Sequence, residues 1–333
     1  MLELVVAIAM LLSLIFYALM GGADFGGGMW DLLASGPRAV RQKIAVAAAI
    51  GPIWEANHVW LILVVVLLFT GFPSGFTAMM TALNIPTTVM LVGIVLRGSA
   101  FIFRKYDAGV DAVQRRWGLV FGVSSIVTPF FQGMIIGALA TGRIRVANGQ
   151  VVTGFFAGWL TPFALSCGLF ALGLFAFLAA TYLTVDTKDQ PDLQNDFRVR
   201  ALGAGVLLAP LAAAVFLTSI HGAPELFEGL TDWWAPLLLA WTSLMAATAL
   251  LALWRRWFVL ARLAAIVQVT LILLGWCLAQ YPNLVTPDVT VENAHAPKIT
   301  LRLLIIALGS GAIILLPSLA ALFHLFKGKA EQV

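Results

Sequence analysis

Long apolar segments separated by short polar ones make up most of the chain. A membrane-spanning helix needs about 20 predominantly apolar residues, and nine segments of the 333-residue sequence reach that length. The pattern predicts an all-α polytopic membrane protein, with residues 1–333 forming a single integral membrane domain. The nine predicted transmembrane helices cover approximately residues 2–30, 44–70, 76–101, 117–140, 155–183, 199–219, 234–254, 260–281 and 299–325.

The distribution of basic residues between the loops predicts the orientation. Most of the 20 Lys and Arg residues lie in loops on one side, whereas the other side holds only Arg143, Arg145, Lys298 and Arg302. Basic loops remain in the cytoplasm. The N-terminus is therefore predicted to lie outside and the C-terminus in the cytoplasm.

Composition agrees with this class and excludes others. The chain is 61% hydrophobic and 11% charged, whereas soluble domains contain about 25% charged residues. A β-barrel would show short alternating segments, and the scattered basic residues do not form a nucleic-acid-binding patch. Cys167 and Cys277 both lie in apolar segments, so they indicate no disulfide framework.

Two acidic residues in or beside apolar segments are the main candidates for chemistry. Asp24 lies in 21–28 (GGADFGGG), and Glu55 lies in 51–60 (GPIWEANHVW). Ionisable groups within a membrane are costly and commonly mark ion or proton paths. The alternatives are structural: Asp24 could cap a helix end, and Glu55 could pair with an arginine or a histidine.

Three further residues are candidates for supporting roles. Asn57 and His58 follow Glu55 closely, and Glu55 and His58 would share a helix face because they are three residues apart. We expect His58 to be hydrogen-bonded near Glu55. Arg97 could pair with either acid, or its side chain could extend to the membrane surface. His58 could also be a metal or haem ligand. With four histidines in the chain and no pair spaced to hold haem between spans, we predict no metal site.

Several motifs resemble those of subunit II of cytochrome bd quinol oxidase. The resemblance covers essentially the whole chain, and Glu55 together with the short length resembles the branch that includes the cyanide-insensitive oxidases. It is carried by residues 22–29 (GADFGGGM), 51–61 (GPIWEANHVWL), 96–101 (LRGSAF) and 280–297.

The resemblance implies a fold and an assembly. The nine helices would form two four-helix bundles plus one peripheral helix. The partner would be subunit I, which carries haem b and haem d and the quinol site, and a small single-helix subunit could complete the complex. The complex, in a bacterial cytoplasmic (inner) membrane, would oxidise quinol and reduce oxygen to water electrogenically, with protons taken from the cytoplasm.

The resemblance also implies a role for this chain, which would bind no haem itself and carry no catalytic residue. It would stabilise subunit I and contribute a cytoplasmic proton route through Asp24 and Glu55, supported by Asn57, His58 and Arg97. A quinone or lipid site in this chain stays open. One departure from the family pattern matters: some members carry an acid shortly after the equivalent of Arg97, whereas residues 101–103 here read Phe-Ile-Phe.

Two other functions fit the sequence pattern. A proton- or ion-coupled secondary transporter would also carry intramembrane acids in helices interrupted by Gly and Pro. A purely scaffolding subunit would use Asp24 and Glu55 only as structural partners. Inverted symmetry and a midplane binding site would favour the transporter.

Overall fold

The computed structural model describes residues 1–51, 54–106 and 111–327, which form twelve α-helices and two short antiparallel hairpins. Nine of these helices are long and apolar enough to cross a membrane, which confirms the predicted class. The elements are α1 (Leu2–Leu32), α2 (Ala39–Ile50), α3 (Trp54–Gly71), α4 (Pro73–Ala82), α5 (Asn84–Tyr106), α6 (Asp111–Ala140), β1 (Val146–Ala147), β2 (Gln150–Val151), α7 (Pro162–Asp186), α8 (Pro191–Gly222), α9 (Pro224–Thr231), α10 (Ala235–Trp254), α11 (Phe258–Gln280), β3 (Asn283–Val285), β4 (Val289–Thr290) and α12 (Lys298–Lys327).

Two predicted spans are each divided into two helices. The segment 44–70 comprises most of α2 and α3, and the segment 76–101 comprises most of α4 and α5. Leu83 separates α4 from α5, and Pro86 lies in the first turn of α5. Proline is tolerated there because the backbone N–H groups of a first turn have no partner within the helix. Apolar runs alone do not reveal such breaks.

The fifth predicted span begins later than residue 155. Helix α7 starts at Pro162, and the Thr161 hydroxyl accepts a hydrogen bond from the Ala164 N–H at 3.1 Å. Threonine followed by proline is a typical helix start. The apolar residues before it belong to turns after the β1–β2 hairpin, so apolar content alone places the start of this helix too early.

Helix α1 lies at the centre of the packing and contacts α3, α6, α7 and α11. Gly26 and Gly28 permit the closest approaches, because a Cβ atom at Gly26 would overlap the Phe175 carbonyl of α7 and one at Gly28 the Ser125 side chain of α6. Helix α12 lies at the outside with mostly exposed side chains. The arrangement into two four-helix bundles stays a prediction.

A polar network ties the α1–α2 connection to α8 on the predicted cytoplasmic side. Arg38 pairs with Asp196 through two hydrogen bonds of 2.8 and 2.6 Å. The Gln42 amide donates to the same carboxylate at 2.8 Å and accepts from Arg200 at 2.7 Å. This network fixes the neighbouring ends of α1, α2 and α8 against one another.

On the opposite side, one ion pair joins the two hairpins. Arg145 donates two hydrogen bonds to Asp288, of 2.8 and 3.0 Å, and the Val146 N–H donates a third at 2.8 Å. The hydrogen bond from Arg145 holds the pKa of Asp288 below its usual range. The carboxylate therefore links the β1–β2 hairpin to the segment between β3 and β4.

We expect the link between the two hairpins to weaken at low pH. The pKa of Asp288 is lower in the folded protein than in the unfolded one. The stability that its carboxylate contributes is therefore complete above the unfolded pKa of about 4, and it is lost as the pH falls through the lower folded pKa. Hydrogen-exchange protection of residues 146–151 should therefore differ between wild type and Asp288→Asn at pH 7, and this difference should shrink as the pH falls below about 4. A difference that stays constant as the solution is acidified would contradict this account.

Candidate functional site

Asp24 lies within α1 rather than at its end, so the predicted alternative of a helix cap is wrong. Asp24 is only 4% exposed to solvent. The glycines that follow it draw α1 against α6 and α7, and this close packing excludes bulk solvent from the acid. A carboxylate in such a position requires polar partners.

The first partner is Asn57 in the first turn of α3. Its amide Nδ2 donates to Asp24 Oδ2 at 2.7 Å, and the Asn57 residue is only 1% exposed. Asn57 Oδ1 is buried and has no hydrogen-bond partner among the described residues. The α3 motif is therefore joined to the glycine-rich α1 motif by a buried hydrogen bond.

The second partner is Arg97 of α5, whose side chain is buried rather than extended to the surface. The Arg97 residue is 1% exposed. Its Nη2 donates to the Asp24 main-chain oxygen at 2.9 Å, and its Nε donates to Ser125 Oγ at 3.2 Å. The guanidinium also lies 4.7 Å from the Phe25 ring centroid and 5.2 Å from that of Phe121. The alternative of a surface-directed Arg97 is therefore wrong.

An acid–arginine ion pair lies farther along the same two helices. Arg104 donates to Asp31 at 2.8 Å, and the Asp31 side chain is 2% exposed. Asp31 follows Asp24 by seven residues, and Arg104 follows Arg97 by seven, so each pair of positions shares a helix face. The sequence reading missed this pair, although the matched seven-residue spacing was a signal for it.

His58 does not form the expected hydrogen bond with Glu55. Its Nδ1 is buried and finds no hydrogen-bond partner in the described part of the chain, and its ring lies 5.9 to 6.2 Å from those of Tyr17, Phe25 and Trp54. Aromatic packing therefore accounts for its position.

Glu55 is placed apart from the buried cluster. It lies in the first turn of α3 and is exposed on the surface of the chain. Residues two apart on a helix point in nearly opposite directions, so Glu55 faces outward because Asn57 faces Asp24. The structure thus brings together Asp24, Asn57 and Arg97, with His58 in contact with Phe25, and leaves Glu55 on the outer face.

A cavity of about 260 Å³ adjoins the cluster. Asp24 and Asn57 line it, and so do Tyr182 and the ion pair between Asp186 of α7 and Arg262 of α11. The other lining residues are apolar. The cavity therefore extends from the buried acid to a charged pair at the end of α7.

The chemistry available to this arrangement is proton binding and transfer. Carboxylates can accept and release protons, and a neighbouring cavity can hold water. Across the described part of the chain, no group of three or more His, Cys, Asp and Glu side chains is placed to hold a metal ion.

Sequence comparisons match the whole length of the chain. The family described as "Cytochrome bd terminal oxidase subunit II" matches residues 2–326. A putative cytochrome bd menaquinol oxidase subunit II from Bacillus subtilis is 23% identical over 97% of this chain and 95% of its own. The cytochrome bd-I ubiquinol oxidase subunit 2 of Escherichia coli is 28% identical over 55% of this chain and 48% of its own.

A solved structure has the same fold. The chain matches one from the bd oxidase of Geobacillus thermodenitrificans with a TM-score of 0.79, at 22% identity and over 98% of both chains. At that level of identity the likeness concerns the fold alone.

Proposed function

Because this chain belongs to the cytochrome bd terminal oxidase subunit II family, we propose that it is the haem-free subunit of a quinol:oxygen oxidoreductase in a bacterial cytoplasmic membrane. It stabilises a haem-bearing subunit I and contributes a cytoplasmic proton route to the oxygen-reduction site. The observation that carries the proton role is the buried Asp24, which touches both Asn57 and a cavity.

The route we propose runs from the cytoplasm to Asp24 and then to Glu55. Asn57 supports the transfer because it contacts Asp24 from the same helical turn that carries Glu55. Glu55 is exposed on a membrane-spanning helix. A carboxylate in that position needs a polar neighbour, and the surface of subunit I would supply one.

The remaining elements of the proposal concern assembly. Haem b and haem d belong to subunit I in this proposal, and we assign no cofactor to the residues of this chain. Arg97 and His58 hold the route in place through their buried contacts with the Asp24 segment. The N-terminus lies outside and the C-terminus in the cytoplasm, as the basic loops predict. The mouth of the cavity at Asp186 is then cytoplasmic.

Purification from the native host tests the assembly. The tagged chain in mild detergent should co-purify with a second large membrane subunit, and the reduced-minus-oxidised visible spectrum should contain haem bands. A chain that purifies alone and haem-free at full yield would remove the proposal and favour the transporter alternative.

We expect Glu55→Gln to leave assembly intact and to slow oxygen consumption about tenfold or more, because a lost proton-transfer group typically costs factors of about 100 to 10,000. Glutamine keeps the size of the side chain and its hydrogen-bonding capacity, but it carries no charge and cannot exchange a proton. Quinol-dependent oxygen uptake per haem is the measurement. Wild-type turnover in a fully haem-loaded variant would favour the scaffolding alternative.

A further inference from the structure

We propose that Asp186 is the cytoplasmic proton acceptor that feeds Asp24 through the water-filled cavity between α1, α2, α7 and α11. This inference rests on the proposed function and extends it to a residue that the sequence analysis did not single out. It assigns the cavity one occupant, a chain of water molecules.

The position of Asp186 supports this role. Ala179 packs against Gly26, two residues from Asp24. Asp186 lies seven residues farther along α7, which is about 10 Å at 1.5 Å per residue. Its side chain is 26% exposed. One carboxylate is therefore accessible from outside and the other is buried, and both line the same cavity.

The cavity is large enough and polar enough for water. Its volume of about 260 Å³ far exceeds the roughly 15 Å³ that one water molecule requires in this measure. Purely apolar cavities stay dry, whereas water needs two to four polar partners. Asp24, Asn57, Tyr182 and Asp186 supply such partners.

The neighbours of Asp186 leave this end of the cavity open to solvent. Arg262 lies 3.5 Å from its carboxylate, and the Arg262 guanidinium is 4.6 Å from the Tyr182 ring centroid. At 3.5 Å and with both side chains about a quarter exposed, the pair is open to water. A carboxylate in contact with water can accept a proton from solvent and release it inward, which leaves the charge of the cavity unchanged after each transfer.

The test compares two aspartates of one segment in the intact membrane complex. Asp186→Asn should lower the quinol-dependent turnover per haem about fivefold or more, without changing the KM for quinol and with a larger solvent isotope effect. Asp186→Glu should restore most of the turnover. The matched control Asp189→Asn removes the same charge from an exposed residue that does not line the cavity, and it should stay within about twofold of wild type.

A second pair of variants tests the cavity itself. Ala49 lines the cavity, whereas its neighbour Ala48 is exposed and does not. Ala49→Leu should fill part of the volume and lower the turnover about threefold or more, whereas Ala48→Leu should remain within about twofold. Haem content and thermal stability of each complex establish that it is assembled.

The outcomes separate this inference from the proposed function. Slow turnover in Asp24→Asn together with normal turnover in Asp186→Asn would overturn the role of Asp186 alone. Normal turnover in both variants would overturn the proton route as well. Slow turnover in Ala49→Leu with normal turnover in Asp186→Asn would overturn the role of Asp186 as proton acceptor and assign the cavity to a bound quinone or lipid. A fall in Asp186→Asn with an altered KM for quinol would identify a structural ion pair instead.

Discussion

Asp24→Asn is expected to lower quinol-dependent oxygen consumption per haem at least about tenfold. Asparagine is nearly isosteric with aspartate. It can still accept the hydrogen bond from Asn57, and its main-chain oxygen can still accept from Arg97. The change therefore removes the exchangeable proton while it keeps these contacts.

The same substitution removes a negative charge near the buried Arg97, so the yield of the complex is also expected to fall. Turnover must therefore be expressed per haem. Asp24→Glu is the matched control, because it keeps a carboxylate and should retain more turnover than Asp24→Asn. Wild-type turnover per haem in Asp24→Asn would contradict a proton role for Asp24 and leave it a structural one.

The sequence predicted the spans well because long apolar segments are a physical requirement of the bilayer. It also identified the two motifs that meet at the buried cluster, since an acid within an apolar segment has few explanations. Apolar content could not predict the break between α4 and α5, because turns inside a membrane protein are also apolar. Nor could it predict that α7 begins at Pro162, where the capping threonine was the better signal.

The candidate site was predicted in part. Asp24, Asn57 and Arg97 meet as a cluster, whereas Glu55 lies on the outer face of the same α3 turn. A spacing of two residues on a helix already implies that Glu55 and Asn57 point apart. The role of Ser125 and the cavity mouth at Asp186 depend on contacts between distant helices, and no single sequence reveals those.

Two arginine contacts join α5 to α1. Arg97 donates to the Asp24 main-chain oxygen and Arg104 to the Asp31 carboxylate, at two levels separated by two helical turns. Both acids are almost completely buried. Removing one member of a buried charged pair is strongly destabilising, because the other is left uncompensated. A proton route and a structural clamp can thus share the same residues.

Arg97→Met is accordingly expected to destabilise the complex by about 3–5 kcal/mol and to reduce its yield sharply. Methionine cannot donate the hydrogen bonds to the Asp24 main chain and Ser125, and it leaves a buried carboxylate without its neighbouring positive charge. Thermal unfolding of the purified complex is the measurement. The matched control Arg302→Met makes the same change at an exposed residue and should shift stability by less than about 0.5 kcal/mol.

The double variant Asp24→Asn/Arg97→Met separates the clamp from the proton route. Removing both charges leaves no uncompensated ion, so the double variant should be more stable than Arg97→Met alone, with a coupling of about 1–3 kcal/mol. Its turnover per haem should nevertheless remain as low as that of Asp24→Asn, because no exchangeable proton is restored. Recovery of turnover together with stability would mean that Asp24 serves only to compensate Arg97, and the proton would have to reach the partner subunit by another path.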